Sequence, residues 1–530
     1  MSFRSLLCLS IIAVWAVATS GKQNAKILMV FEQPGTSHFK SAAAVARVLS
    51  SRGYNITFLL PEPYHSYPAA SQYRDIFSFL HIRKGCSRKS LIVDAEQLAQ
   101  DVTIESDSTS LLFQLIKAVA DDFLKSSEDL LCDVELNDEI MSSRFDLIMT
   151  DANFLWQQVL VQKMPGIPHG LISTTATSSL TNSWIRAPNI PSVLPGFMIR
   201  THHRKPLSFF WRTYNTVFIY GAVIFFSAVL DPLMGVVTSS YSSSVSHYPT
   251  ITFGLSDIWL TNADFTTDTP RPFLPNMGLV GGLNIEEPEP LSQEYQMIFD
   301  KAGAEGVLVV SMGTVVDGVS QEQADAMSAS FARLPQLVIW KEPNPPPRVI
   351  GNNTYLKKWI PQKDLVAHPK TRALVYHCGN NGAFEALYHG VPIIGIPIFG
   401  DQTDVAYRMM SSGMGLVIEL STVTNETLYQ VTAEVLNDPK YHARAQYLSA
   451  VYRDNTVSAP ERGAFWVEYI LRHRGNRLMR AKVAEMGIIQ EYLLDVWLLC
   501  CVVICIIIKC LQCLFGACFC KRIHSKTICR

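Results

Sequence analysis

This sequence predicts an α/β protein of two doubly wound halves that face each other across a cleft, and three observations predict it. Near the amino terminus, Lys26 to Phe31 is a short apolar strand, Ser41 to Ser50 is rich in Ala, Val and Leu and reads as a helix, and Asn55 to Leu60 is the next strand. A second series of the same kind begins at Gly306. Within it, residues 371–403 join an apolar strand, a turn with two glycines, a helix and another apolar strand. Alternation of strands and helices builds parallel sheets with helices on both faces.

Taken in order, the chain opens on residues 1–20, which read as a secretory signal: Arg4, an apolar run from Leu6 to Ala18, then the small residues Ala18, Thr19 and Ser20. A retained membrane anchor is the other reading. The first half, residues 21–285, comes next, and Phe145 to Thr150 running into Asp151 repeats its opening pattern. Thr216 to Leu230 is apolar and stops at Asp231-Pro232; it is too short for a confident span and reads as a buried or an interfacial helix. The acidic, proline-bearing stretch Glu286-Glu287-Pro288-Glu289-Pro290 marks a linker over 286–292. In the second half, residues 293–490, strands are expected at Gly306 to Ser311, Leu337 to Trp340, Ala373 to Tyr376 and Val391 to Ile398.

The carboxyl end predicts a membrane anchor. Val496 to Ile508 alone is short for a span of about twenty residues. Counting on to Leu514, with Lys509 reaching toward the interface, gives a transmembrane helix over 493–514. The tail, 515–530, carries Lys521, Arg522, Lys526 and Arg530 with no acidic residue, which predicts a short cytosolic tail and a large lumenal part.

Of twelve cysteines, eight lie at or after Cys500, so the lumenal part is no disulfide scaffold. A Cys86–Cys132 bridge is compatible with the sequence but not established by it. The tail cysteines suit palmitoylation and helix packing equally. Sequons stand at Asn55, Asn352 and Asn425. The net charge of −1 over 530 residues offers no field for nucleic acid.

The chemistry gathers at two places. In 371–403, the turn after the first strand aims backbone N–H groups and a helix N-terminus at an anion. Glu385 on that helix, with Asp401 and Gln402 after the next strand, can hold sugar hydroxyls, so the unit reads as a nucleotide-sugar site. In the first half, His38 comes after a strand and the Gly35-Thr36-Ser37 turn, where an imidazole can take an alcohol proton near neutral pH. Asp151 ends another strand of the same half and can fix that imidazole's tautomer; capping the following helix is its alternative role.

His377, Gly379, Gly382, Glu385, Pro392, Pro397, Asp401 and Gln402 resemble the signature of the UDP-glycosyltransferase family that includes the UDP-glucuronosyltransferases. Tyr376, where Thr or Ser is usual, and Cys378, where Gly is commonest, depart from it. The resemblance covers nearly the whole chain and implies the glycosyltransferase B fold, with an acceptor-binding first half and a UDP-sugar-binding second half. It implies an inverting, metal-independent transfer with no cofactor beyond the UDP-sugar co-substrate, His38 and Asp151 being the catalytic pair. For UDP it implies Ser311, Gly313 and Thr314 near phosphate, Trp359 and Gln362 at uracil, and His377, Gly379, Asn381 and Gly382 at the diphosphate. Glu385 would take the ribose and Asp401 and Gln402 the sugar.

Asn262, a third residue expected at the sugar, lies in a segment resembling one where glucuronate-using members carry Arg at this position, which leans the donor toward a neutral sugar. A plain loop residue, with another cation meeting the uronate carboxylate, is the other reading, so hexose and hexuronic acid both stay open. The acceptor is expected to be a small lipophilic molecule drawn from membrane lipid, and residence in the endoplasmic reticulum is implied by resemblance, although the family's usual lysine-based retrieval signal is missing at the chain end. The sequence leaves homo-oligomer formation open. Two alternatives stand beside this reading: a dedicated sterol or ceramide glycosyltransferase, and a non-catalytic nucleotide-sugar-binding membrane protein.

Overall fold

The structure, a computed structural model, describes residues 24–31, 36–61, 68–82, 126–127, 129–174, 179–194, 207–225, 232, 235, 249–313, 319–398 and 400–527. The expected signal segment, Cys86 and Thr314 lie outside them. The chain divides into two units, residues 1–480 and 481–530.

The larger unit contains two parallel sheets. The first is built from β1 (Lys26–Val30), β2 (Asn55–Leu60), β3 (Ser78–His81), β4 (Leu147–Asp151), β5 (His169–Ser173), β6 (Ile258–Thr261) and β7 (Met277–Leu279), in the order β3-β2-β1-β4-β5-β6-β7. The second holds β8 (Val307–Ser311), β9 (Leu337–Lys341), β10 (Thr354–Lys357), β11 (Thr371–Tyr376), β12 (Ile393–Gly395) and β13 (Gly415–Val417), in the order β10-β9-β8-β11-β12-β13. Both sheets are doubly wound. Ile27 to Val30 and Val307 to Val310 are fully buried, as expected for strands covered by helices on both faces.

Strand order reverses between β1 and β4 in the first sheet and between β8 and β11 in the second. Ligands in such sheets bind beyond the carboxyl ends of the strands at these reversals. The loops leaving β1, β4, β8 and β11 are therefore where a site belongs.

The helices of functional interest are α1 (Ser37–Ser51), α2 (Phe209–Phe225), α3 (Asn380–His389), α4 (Gln402–Ser412), α5 (Ala459–Arg472) and α6 (Leu494–Thr527). Helix α1 starts because Thr36 accepts a hydrogen bond from Phe39 N at 3.2 Å. Its Phe39, Ala42, Val45, Ala46 and Leu49 then face the first sheet. Helix α3 ends at Gly390, whose φ of 67° is the left-handed cap conformation.

Two expectations need correction. The strand foreseen over Val391 to Ile398 is only Ile393–Gly395. Pro392 and Pro397 flank it and have no N–H to give a ladder. Helix α5, foreseen within the second half, instead packs on the first: Ala459, Ala464, Val467 and Ile470 share a core with Phe39 and Val45. Glu468 on α5 pairs with Arg52, just past the end of α1, at 3.0 Å.

Helix α2 overlaps the apolar stretch 216–230. It buries Asn215, Ile219 and Val223 and exposes Phe209, Phe210, Val217 and Ile224. The smaller unit contains α6, whose Leu494–Cys513 stretch is long and apolar enough to cross a membrane. This agrees with the span expected over 493–514.

Candidate active site

In the first half, His38 is the second residue of α1, just beyond the carboxyl end of β1. Its Nδ1 lies 2.6 Å from Oδ2 of Asp151, the last residue of β4. The Asp151 side chain is fully buried while that of His38 is about one-fifth exposed. Asp151 does not cap the following helix. Its backbone N–H donates to Gln157 Oε1 at 2.7 Å, and its Oδ1 accepts from Asn153 N at 2.9 Å. The backbone of Asp151 is thus pinned by Gln157, and its carboxylate by Asn153 N.

Thr174, one residue beyond β5, adds a hydroxyl 2.9 Å from the same His38 Nδ1. A proton on Nδ1, accepted by the Asp151 carboxylate, assigns the basic lone pair to Nε2.

The second half brings together most of the residues expected around UDP. Ser311 ends β8, and Gly313 lies two residues on with φ 94°. The His377 ring lies against both Gly313 and Gly379. A Cβ on Gly313 would stand 2.9 Å from His377 Nε2, and one on Gly379 only 2.6 Å from it. Glycine at both positions leaves room for the imidazole. Burial pulls the His377 pKa down to about 4, so the ring is neutral at cellular pH and donates without carrying charge.

Cys378, where glycine is usual, takes φ 65° regardless, and its fully buried Sγ lies 3.6 Å from Tyr376 O. The turn therefore holds a side chain in a left-handed conformation. No side chain caps the start of α3, which leaves its first-turn N–H groups to an anion.

Deeper in α3, Glu385 receives Gln362 Nε2 at 2.8 Å and Asn284 Nδ2 at 3.3 Å. Burial raises its pKa and these donors pull it back. Asn284 also donates to Asn381 O at 3.2 Å. The Trp359 residue is 64% exposed and its carbonyl accepts from Tyr295 at 2.9 Å, which leaves an indole face for a base. The Lys341 ammonium lies 5.6 Å from that ring's centroid and donates to Gly313 O.

The residues expected at the sugar divide. Asp401, at the start of α4, has its pKa raised to about 6 by burial, with His38 and Arg408 acting in the other direction. Gln402 is buried, and its Oε1 accepts from Ile398 N at 2.9 Å, so that oxygen shapes the loop. Asn262 is fully buried rather than open to a ligand: its Oδ1 accepts from Gly282 N at 2.8 Å and its Nδ2 reaches Thr174 O at 3.5 Å. The structure commits that amide to two backbone groups. Thr174, Asn284 and Asn380 were not foreseen, although the strand-end rule that singled out Asp151 also reaches Thr174.

The chain is similar to known proteins over most of its length. Residues 25–527 match the family described as UDP-glucoronosyl and UDP-glucosyl transferase. UDP-glucuronosyltransferase 2B7 of Homo sapiens is 30% identical over 511 residues, covering 92% of each chain. UDP-glucuronosyltransferase 2B13 of Oryctolagus cuniculus is 32% identical over 430 residues, 78% of each. Among solved structures, a UDP-glucosyltransferase from Polygonum tinctorium that glucosylates indoxyl superimposes with a TM-score of 0.58 at 16% identity, over 84% of this chain and 98% of that one. The kitacinnamycin glycotransferase gives 0.57 at 17% identity, over 86% and 100%. At those identities the structures show a common fold, the glycosyltransferase B architecture.

Proposed function

The chain belongs to the UDP-glucoronosyl and UDP-glucosyl transferase family, and is an enzyme that transfers sugar from a UDP-sugar to a small acceptor; from that premise we propose that His38 is its catalytic base and that transfer inverts the anomeric centre. The carrying observation is the 2.6 Å contact between His38 Nδ1 and Asp151 Oδ2 at the strand reversal of the first sheet.

In this reading His38 Nε2 removes the acceptor's proton while the acceptor oxygen attacks the anomeric carbon from the face opposite UDP. The bond from that carbon to the diphosphate oxygen breaks, and UDP leaves with the electron pair. Asp151 stabilises the imidazolium that forms. The N-terminus of α3, with Gly379, Asn381 and Gly382 at its first turn, meets the leaving diphosphate together with His377, Ser311 and Gly313. Neutralisation by these groups replaces a metal ion, so turnover should survive chelation. Glu385 takes the ribose hydroxyls, Trp359 stacks on uracil beside Gln362, and Asp401 accepts from the sugar.

The C-terminal helix is consistent with a single-pass membrane anchor. We place the catalytic part in the lumen of the endoplasmic reticulum and the basic tail in the cytosol. An acceptor concentrated by the membrane is then small and lipophilic. Turnover with radiolabelled UDP-sugars against a panel of phenols, alcohols and acids tests this reading. Absence of transfer to any acceptor, with UDP still bound, would overturn it in favour of a binding-only protein.

A further inference from the structure

Asn380 is the first residue of α3, between the His377–Gly379 turn and Glu385. Its side chain takes no part in capping and is 8% exposed. Instead its Nδ2 crosses to the other half and donates to two backbone carbonyls, Asn262 O at 2.9 Å and Thr174 O at 3.2 Å. Asn262 comes directly after β6 and Thr174 directly after β5. Thr174 is also the residue whose hydroxyl lies 2.9 Å from His38 Nδ1.

A single amide thus joins the helix start expected at the donor's diphosphate to the loop that touches the expected base. A second crossing runs beside it, because Asn284 Nδ2, from the chain beyond β7, reaches both Asn381 O and Glu385. Both amide hydrogens of Asn380 are committed, to carbonyls on different loops, which leaves that side chain little freedom.

The geometry points to Asn380 as a positioning residue for the transfer: its two hydrogen bonds set the separation between His38 and the donor end of α3. This rests on the reading of His38 as the base. The physical need is clear, since a misplacement of about 1 Å between reacting groups can cost on the order of 10²-fold in rate. The two halves come from separate sheets, and contacts of this kind fix their relative placement.

The experiment uses the full-length enzyme in detergent or microsomes. Asn380→Ala should lower kcat about 10- to 100-fold while calorimetric UDP affinity stays within about twofold, because the α3 N–H groups and Glu385 remain. Asn380→Asp keeps the shape, removes both donor hydrogens and should lose as much. If both melt below the assay temperature, Asn380→Ser supplies the comparison, with one hydroxyl donor in place of two N–H groups.

A double-mutant cycle with His38→Ala separates positioning from general softening. If Asn380 acts through the base, Asn380→Ala should cost little more once His38 is gone. Unchanged kcat in Asn380→Ala, or a fall in UDP affinity equal to the fall in kcat, overturns the proposal. Additive losses in the double mutant overturn it too. Near-normal turnover in His38→Ala alone would instead show that the base assignment had failed.

Discussion

The buried Asp151 carboxylate stands 2.6 Å from Nδ1 of His38, with the two residues at the carboxyl ends of adjacent, parallel strand units. The Asn153 N–H holds the other oxygen of that carboxylate, and Gln157 pins the Asp151 backbone N–H. An ionised carboxylate can only accept from Nδ1, so the ring keeps its basic lone pair on Nε2.

Accordingly, His38→Ala should lower kcat by about 10²–10⁴-fold, the usual worth of a general base. UDP affinity, measured by calorimetry, should change little. Carboxylic acid acceptors, already ionised at neutral pH, should lose less than alcohols. Equal losses for the two acceptor classes would contradict proton removal by His38.

Glu385 gives a prediction confined to the donor. Removing its carboxylate in Glu385→Ala leaves Gln362 Nε2 without this acceptor, Asn284 with Asn381 O in its place, and the ribose without a charged partner. Loss of such bonds costs about 1.5–3 kcal/mol, roughly ten- to hundred-fold in affinity for UDP. Calorimetry with UDP alone reads it, and unchanged affinity would remove Glu385 from the ribose.

Asp401 carries a pH signature. Its pKa is raised to about 6, so the folded protein binds that proton more tightly than the unfolded chain does. Its contribution to stability is full below the ordinary carboxyl pKa of about 3.8 and is lost as pH rises through 6. Asp401→Asn should therefore raise the melting temperature of the ligand-free enzyme at pH 7.5 more than at pH 4.5. It should also weaken UDP-sugar relative to UDP. A shift independent of pH would show that the carboxylate is well solvated.

For Asn262 the structure moves the expectation from selectivity to stability. Asn262→Ala removes the acceptor for Gly282 N–H inside the protein, which costs about 1–3 kcal/mol. The melting temperature should fall, and turnover with UDP-glucose and UDP-glucuronate should fall in equal proportion. A changed ratio between the donors would return this side chain to the sugar.

Topology is tested on sealed microsomes. Protease should trim only the segment beyond about Leu514, and endoglycosidase should shift the mass of the protected fragment. A protected tail would reverse the proposed orientation.

Much of the core was legible because its strands are short apolar runs ended by turn residues. β1, β2 and β4 fall within a residue or two of their expected places, and α1 within a turn. β3, β5, β6, β7, β10 and β13 were not foreseen; β3 is four residues with no buried position, and β7 three residues around Gly278, too short for any period to show. Strand ends pointed to His38 and Asp151, and the family resemblance was needed to read them as a pair. The buried state of Asn262 was not, because its acceptor and donor partners are Thr174 and Gly282, 88 and 20 residues away. Nothing in a local pattern reports contacts of that range.

The return of α5 to the first sheet has a consequence for synthesis. Val45 and Phe39 complete their core only with Val467 and Ile470, and Arg52 meets Glu468 across 416 residues. On the ribosome the first half emerges hundreds of residues before its last covering helix, with the apolar side of α1 uncovered meanwhile. A nascent chain stopped anywhere before Ala459 lacks the piece that closes its own beginning, so the core around α1 is completed late.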